Sequence, residues 1–113
     1  MQFTSPTARR IAGELGHESF EQDDLYDPGT AILFGSRYVA KLFSDLPDKA
    51  EAVAASYNGG EDNMKRWLTR SRTSLPERYV PEIAYSQSKD YVYKVMANYR
   101  VYQYLYDEQL RPK

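Results

Sequence analysis

Ala55-Ser56-Tyr57-Asn58-Gly59-Gly60 is the stretch on which the reading of this chain turns. It closes a segment in which Ala50, Val53, Ala54 and Tyr57 recur at i, i+3, i+4 and i+7, the spacing of one helix face. The two glycines must break that helix. Its end therefore carries a polar side chain, Asn58, beside bare backbone that another molecule can approach closely.

Working outward, proline and aspartate mark the other helices. Ser5 followed by Pro6 reads as a cap and first turn, with the helix running to about Leu15 and Gly16 ending it. Gly16 to Tyr26 is polar and acidic, which predicts a loop. Asp27-Pro28 repeats the start signal and opens a helix to about Phe43, with Ile32, Gly35, Val39, Leu42 and Phe43 on its inner face. Mid-helix Gly35 predicts a close helix–helix contact. Pro47-Asp48 opens the helix that ends at Asn58-Gly59-Gly60. Glu61 to about Arg72 follows, with Met64, Trp67 and Leu68 turned inward. A proline-bounded connection spans Leu75 to Ser86, with a helical turn around Glu77 to Val80. The last helix runs from about Gln87 to Tyr106. Its two apolar stripes are Val92, Val95, Met96, Tyr99, Tyr106 and Tyr91, Tyr102, Leu105, and they predict a central helix with neighbours on both sides. There is no β signal, so an all-α domain of about five helices plus short turns is expected, with residues 1–113 as a single domain.

Composition narrows the function classes. With 15 Lys+Arg against 16 Asp+Glu, no overall field recruits nucleic acid. Zero cysteines exclude disulfides and thiolate chemistry. His17 is the only histidine, so a metal site is not expected and no cofactor is implied. No apolar run approaches the ~20 residues of a membrane span, and Met1 to Pro6 lacks the features of a signal peptide.

Two further segments flank the central stretch in order. Met1-Gln2 followed by Ser5-Pro6-Thr7-Ala8 matches the second half of a Gly-Leu-Met-Gln-x-x-Pro-x-Thr-Ala block. Ser86-Gln87-Ser88-Lys89-Asp90-Tyr91-Val92 matches a Ser-Glu-Thr-Arg-x-Tyr-Val block, with Gln87 in place of its glutamate. Together with Tyr57-Asn58-Gly59-Gly60, against the pattern Ala-Tyr-Asn-Ala-Gly, these resemble the soluble lytic transglycosylase family, whose domains are lysozyme-like and cut bacterial peptidoglycan. The resemblance covers nearly the whole chain.

That resemblance implies a reaction. One glutamate protonates the bond between N-acetylmuramic acid and N-acetylglucosamine, then takes the proton of the sugar's own C6 hydroxyl and closes a 1,6-anhydro ring. Such a carboxyl needs an apolar pocket to hold its proton near neutral pH. In the family it lies in a Glu-Ser-aromatic element ahead of the Met-Gln pair, so the acid is expected upstream of residue 1 and no catalytic residue in this chain. Glu18-Ser19-Phe20 copies that element on the wrong side of Met1-Gln2 and within an acidic loop; Glu18 reads as a solvated loop residue. The expected substrate-binding residues are Met1, Gln2, Tyr57, Asn58, Gln87 and Tyr91. Trp67 and the tyrosines at 99, 102 and 106 read as core rather than as sugar platforms.

The expected partner is a peptidoglycan glycan strand, and the expected place of the parent protein is the bacterial envelope or periplasm. The chain reads as a truncated domain whose apolar face is covered by self-association or by an N-terminal segment. The alternative is a catalytically inactive peptidoglycan-binding or protein-interaction domain on the same fold.

Overall fold

The computed structural model describes residues 3–113. Among them it contains six α-helices, two short 3-10 turns and no strand. The chain divides into two compact units, residues 1–45 and 46–113.

In the first unit, α1 spans Ser5–Glu14 and α2 spans Pro28–Asp45, with a 3-10 turn at Gln22–Tyr26 between them. That turn lies within the stretch expected to be loop. The cap of α1 falls one residue earlier than expected: Thr4 precedes the helix and Ser5 is its first residue. Ala8, Ile11 and Ala12 form the buried stripe of α1. Gly16 at φ +72° takes the left-handed turn that L side chains avoid, and the amide of His17 reaches back to the Ala12 carbonyl at 2.8 Å. Asp27 starts α2 as expected, its Oδ2 accepting from the Thr30 amide at 2.9 Å and from the Thr30 hydroxyl at 3.0 Å.

The buried face of α2 differs from the expected one. Phe34, Gly35, Tyr38 and Leu42 are buried, whereas Ile32 and Phe43 are 62% and 45% exposed. Phe34 packs against Phe20 and the edge of His17, at centroid distances of 5.0 and 5.8 Å. Tyr38 packs against Phe3, and the Arg10 guanidinium lies over its ring. The aromatic rings find aromatic partners, and the aliphatic Ile32 is left to solvent.

The second unit holds α3 (Ala50–Gly59), α4 (Glu61–Ser71), α5 (Pro76–Tyr79), a 3-10 turn at Val80–Glu82, and α6 (Ser86–Leu105). Its central helix is α3, not the last helix as the two stripes predicted. Ala52, Val53, Ala54, Ala55 and Ser56 are buried in succession, which no one-sided helix allows. Alanines let α4 and α6, the helices in contact with α3, pack close to its backbone. Ser56 turns its hydroxyl back to the Ala52 carbonyl at 2.8 Å, so its burial leaves no donor unmet.

Around α3 the core is completed by Met64, Trp67, Tyr79, Val80, Ile83 and Val92, with Leu68, Tyr91, Val95 and Met96 packed on it. Each large apolar side chain among these stabilises the unit by roughly 1.5–3 kcal/mol through burial. On α6 only Ser88 and Val92 are fully buried. Beyond Met96 the helix projects from this core: Tyr99 is 51%, Tyr102 60% and Leu105 47% exposed. The tyrosine spacing is therefore not a core stripe. After α6 the chain folds back, with Asp107 accepting from the Arg111 amide and guanidinium.

Candidate functional site

The site grows from the junction of α3 and α4. Gly60 at φ +95° is the single residue between the two helices. The Asn63 side-chain amide donates to the Gly59 carbonyl at 2.7 Å, satisfying one of the acceptors that the end of α3 exposes. Asn58 is thus held one turn-end residue before the break, with its side chain exposed.

The first turn of α6 packs against this end. A Cβ added to Gly59 would meet Ser88 Oγ at 2.6 Å and Trp67 Cη2 at 3.1 Å, so the approach depends on the missing side chain. Ser88, 2% exposed, donates its hydroxyl proton to Asn58 Oδ1 at 2.9 Å.

Beside this bond lies a hollow of about 440 Å³, lined by Asn58, Ser86, Gln87, Asp90, Tyr91 and Lys94. Gln87, Asp90, Tyr91 and Lys94 recur at i, i+3, i+4 and i+7, one face of α6. Amide, hydroxyl, carboxylate and ammonium groups together offer both donors and acceptors, the chemistry that hydroxyl- and acetamido-bearing sugars require. Tyr57, half-buried, does not line the hollow. Burial pushes its phenol pKa up, and proximity to Tyr91 adds to the shift.

Of the residues expected to bind substrate, the fold brings Asn58, Gln87 and Tyr91 to this hollow and sets Tyr57 next to Tyr91. Met1 and Gln2 lie outside the described residues. Glu18 is exposed in a turn, as read from the sequence. Asp27 and Asp107 are held below the ordinary carboxylate range by hydrogen bonds, from Thr30 and Arg111 respectively, the opposite of what a general acid needs. Trp67 is buried and meets the edge of Tyr85 at 5.1 Å, a core residue as expected. The sequence reading missed Ser86, Asp90 and Lys94. Helical spacing from Gln87 and Tyr91 was the signal that could have found them.

Among the described residues no group of three or more His, Cys, Asp or Glu converges as a metal site would require. Among the same described residues no helix is long and apolar enough to cross a membrane.

Comparison with known proteins gives one family and a small set of relatives. The transglycosylase SLT domain matches residues 1–80. A putative soluble lytic murein transglycosylase of Haemophilus influenzae is 26% identical over 106 residues, which is 92% of this chain and 18% of that protein. The soluble lytic murein transglycosylase of Escherichia coli K12 is 28% identical over 81 residues, 71% of this chain and 13% of that protein. The chain thus spans less than a fifth of the length of these relatives. No solved structure matches it significantly. The all-α architecture agrees with the lysozyme-like fold that the resemblance implied. A match over residues 1–80 takes in the Met1-Gln2 pair and the Tyr57-Asn58-Gly59-Gly60 turn, and on it this chain belongs to the transglycosylase SLT domain family.

Proposed function

We propose that residues 1–113 belong to one peptidoglycan-cleaving lytic transglycosylase domain, and that the hollow at the meeting of α3 and α6 takes part of the glycan strand. The observation that supports this reading is that Asn58, from the Tyr57-Asn58-Gly59-Gly60 turn, lines one hollow with Gln87 and Tyr91 of the Ser86–Val92 stretch, about 30 residues further along the chain. In this reading Asn58, Gln87 and Tyr91 hydrogen-bond to sugar hydroxyl or acetamido groups, and Tyr57 supports Tyr91 from within. The family pattern also gives Met1 and Gln2 a substrate-binding role, which rests on the sequence alone.

The reaction is the non-hydrolytic one: cleavage between N-acetylmuramic acid and N-acetylglucosamine with closure of a 1,6-anhydro ring. No described carboxylate is assigned as the acid. In the family pattern it precedes the Met-Gln pair; a peptidoglycan substrate sets the place of action in the bacterial envelope. The exposed end of α6, with Tyr102 and Leu105, is the surface on which self-association or contact with an N-terminal segment is expected.

Digesting purified peptidoglycan with the full-length protein and analysing the products by mass spectrometry tests this. We expect 1,6-anhydro-muramyl ends, reduced by Asn58→Ala and unaffected by Glu18→Gln. Products with ordinary reducing ends would mean hydrolysis instead. Binding without any cleavage would favour an inactive binding domain, and loss of turnover in Glu18→Gln would move the acid to the loop.

A further inference from the structure

A polar side chain at the rim of a hollow can present either end of its amide. Asn58 is exposed, and alone it would be a rotor offering donor or acceptor to a ligand. Three observations remove that freedom. Ser88 is almost fully buried, so its hydroxyl proton needs a partner within the protein. The partner is Asn58 Oδ1 at 2.9 Å. The room for this bond exists because residue 59 has no side chain, since a Cβ there would stand 2.6 Å from the same Oγ.

We propose that Ser88 is a positioning residue for Asn58: its buried hydroxyl engages Oδ1, leaving Nδ2 with its two protons directed to the hollow. Asn58 then acts as a donor, and the group it reads on the ligand is an acceptor oxygen, such as an acetamido carbonyl or a sugar hydroxyl. Gly59 takes part by omission. This deepens the glycan-site reading and rests on it.

The role differs from that of a space-filling serine. A filler would matter for stability alone, whereas a positioning hydroxyl sets the order of the Asn58 amide and, through it, affinity. The first test needs no ligand. In the ¹⁵N-labelled chain, relaxation of the Asn58 side-chain NH₂ is expected to show a rigid group in the wild type, a mobile one in Ser88→Ala, and rigidity regained in Ser88→Thr, which keeps the hydroxyl. Should Ser88→Ala not fold, Ser88→Cys keeps the size with a weaker donor and serves the same comparison. An Asn58 amide as mobile in the wild type as in the variant overturns the proposal.

The second test is titration with a β-1,4-linked N-acetylglucosamine tetramer. Ser88→Ala is expected to weaken binding roughly fivefold, the scale of one hydrogen bond. Combined with Asn58→Ala it should add little to the effect of Asn58→Ala alone. Additive losses, or wild-type affinity in Ser88→Ala while Asn58→Ala binds poorly, would overturn the positioning role and leave the glycan site standing. An ordered amide in a wild-type chain that does not bind the tetramer would instead overturn the glycan-site reading, and with it the assignment of what Asn58 reads.

Discussion

Two glycine-to-alanine changes in helices should move stability in opposite directions, and the difference measures how tightly α3 and α6 are packed. Neither Gly13 in α1 nor Gly59 in α3 has a positive φ, so backbone strain does not enter. At Gly13 an added Cβ meets nothing within 4 Å. Gly13→Ala should therefore stabilise by about 0.5–1 kcal/mol, through better helix propensity and a less free unfolded chain. At Gly59 the same Cβ would stand 2.6 Å from Ser88 Oγ and 3.1 Å from Trp67 Cη2, well inside ordinary contact, which begins at 3.4 Å. Ser88 can yield only by rotating its hydroxyl away from Asn58, losing a bond of about 0.5–1.5 kcal/mol. Trp67 is buried and must move as a ring. Overpacking of this kind costs about 1–3 kcal/mol, against a helix gain of about 1 kcal/mol at most. The net expectation is a loss of about 1–2 kcal/mol, and a gap between the two variants of about 2 kcal/mol. Urea titrations at constant m-value read this directly, as shifts of midpoint in opposite directions. If Gly59→Ala stabilised the protein as Gly13→Ala does, the close packing of Gly59 against Ser88 and Trp67 would be refuted. The family pattern carries alanine at this position, so the expected cost belongs to how this chain seats Ser88 and Trp67.

Met64 is fully buried in the second unit, and Met64→Ala should lose about 2–5 kcal/mol, measured as a lower urea midpoint; a loss near zero would mean the site is not core. Tyr79 is buried and its phenol is pushed up to about 12, first by burial and then by the nearby Glu51 charge. The folded state therefore keeps this proton where the unfolded chain, with a pKa of about 10, releases it. Stability should be full below about pH 10 and fall as pH rises toward 12; Tyr79→Phe should flatten that slope in thermal melts across this range. Asp27 is the reverse case, lowered chiefly by the Thr30 amide. Asp27→Ala should lower Tm at neutral pH, and its disadvantage should shrink as the medium is acidified below 3.8 and the wild-type carboxylate takes up a proton.

Helix boundaries were legible because they are local chemistry. Asp27-Pro28, Gly16 and Gly59-Gly60 act within a few residues, and the structure places breaks or starts at each. Which face of α2 is buried was not legible. Ile32, Leu33, Phe34, Tyr38, Val39, Leu42 and Phe43 supply two overlapping apolar stripes, and periodicity cannot choose between them. The choice is made by Phe20 and His17 packing on Phe34, and by Phe3 on Tyr38. The central position of α3 was hidden for a different reason. Its side chains are small and fall on a single stripe, whereas α6 offers two stripes of large side chains, although small size is what allows neighbours to close on α3. At the site, Asn58, Gln87 and Tyr91 could be selected from motif spacing. The Ser88–Asn58 bond could not, since it exists only once α3 and α6 are apposed.

A helix enclosed by its neighbours has consequences for how the unit opens. Ala52 to Ser56 are buried in succession, and Ala52, Ala54 and Ala55 share one core with residues of α4 and α6, so exposing their amides requires that core to open. The tyrosine-bearing end of α6 can fray without disturbing them, because few of its side chains are packed. Amide hydrogen exchange in this unit should therefore be graded along α6 and slowest in α3, whose protection reports the opening of the unit as a whole. Asn58 sits at the end of that slowest-exchanging segment, so the rim of the hollow is carried by the part of the unit that opens last.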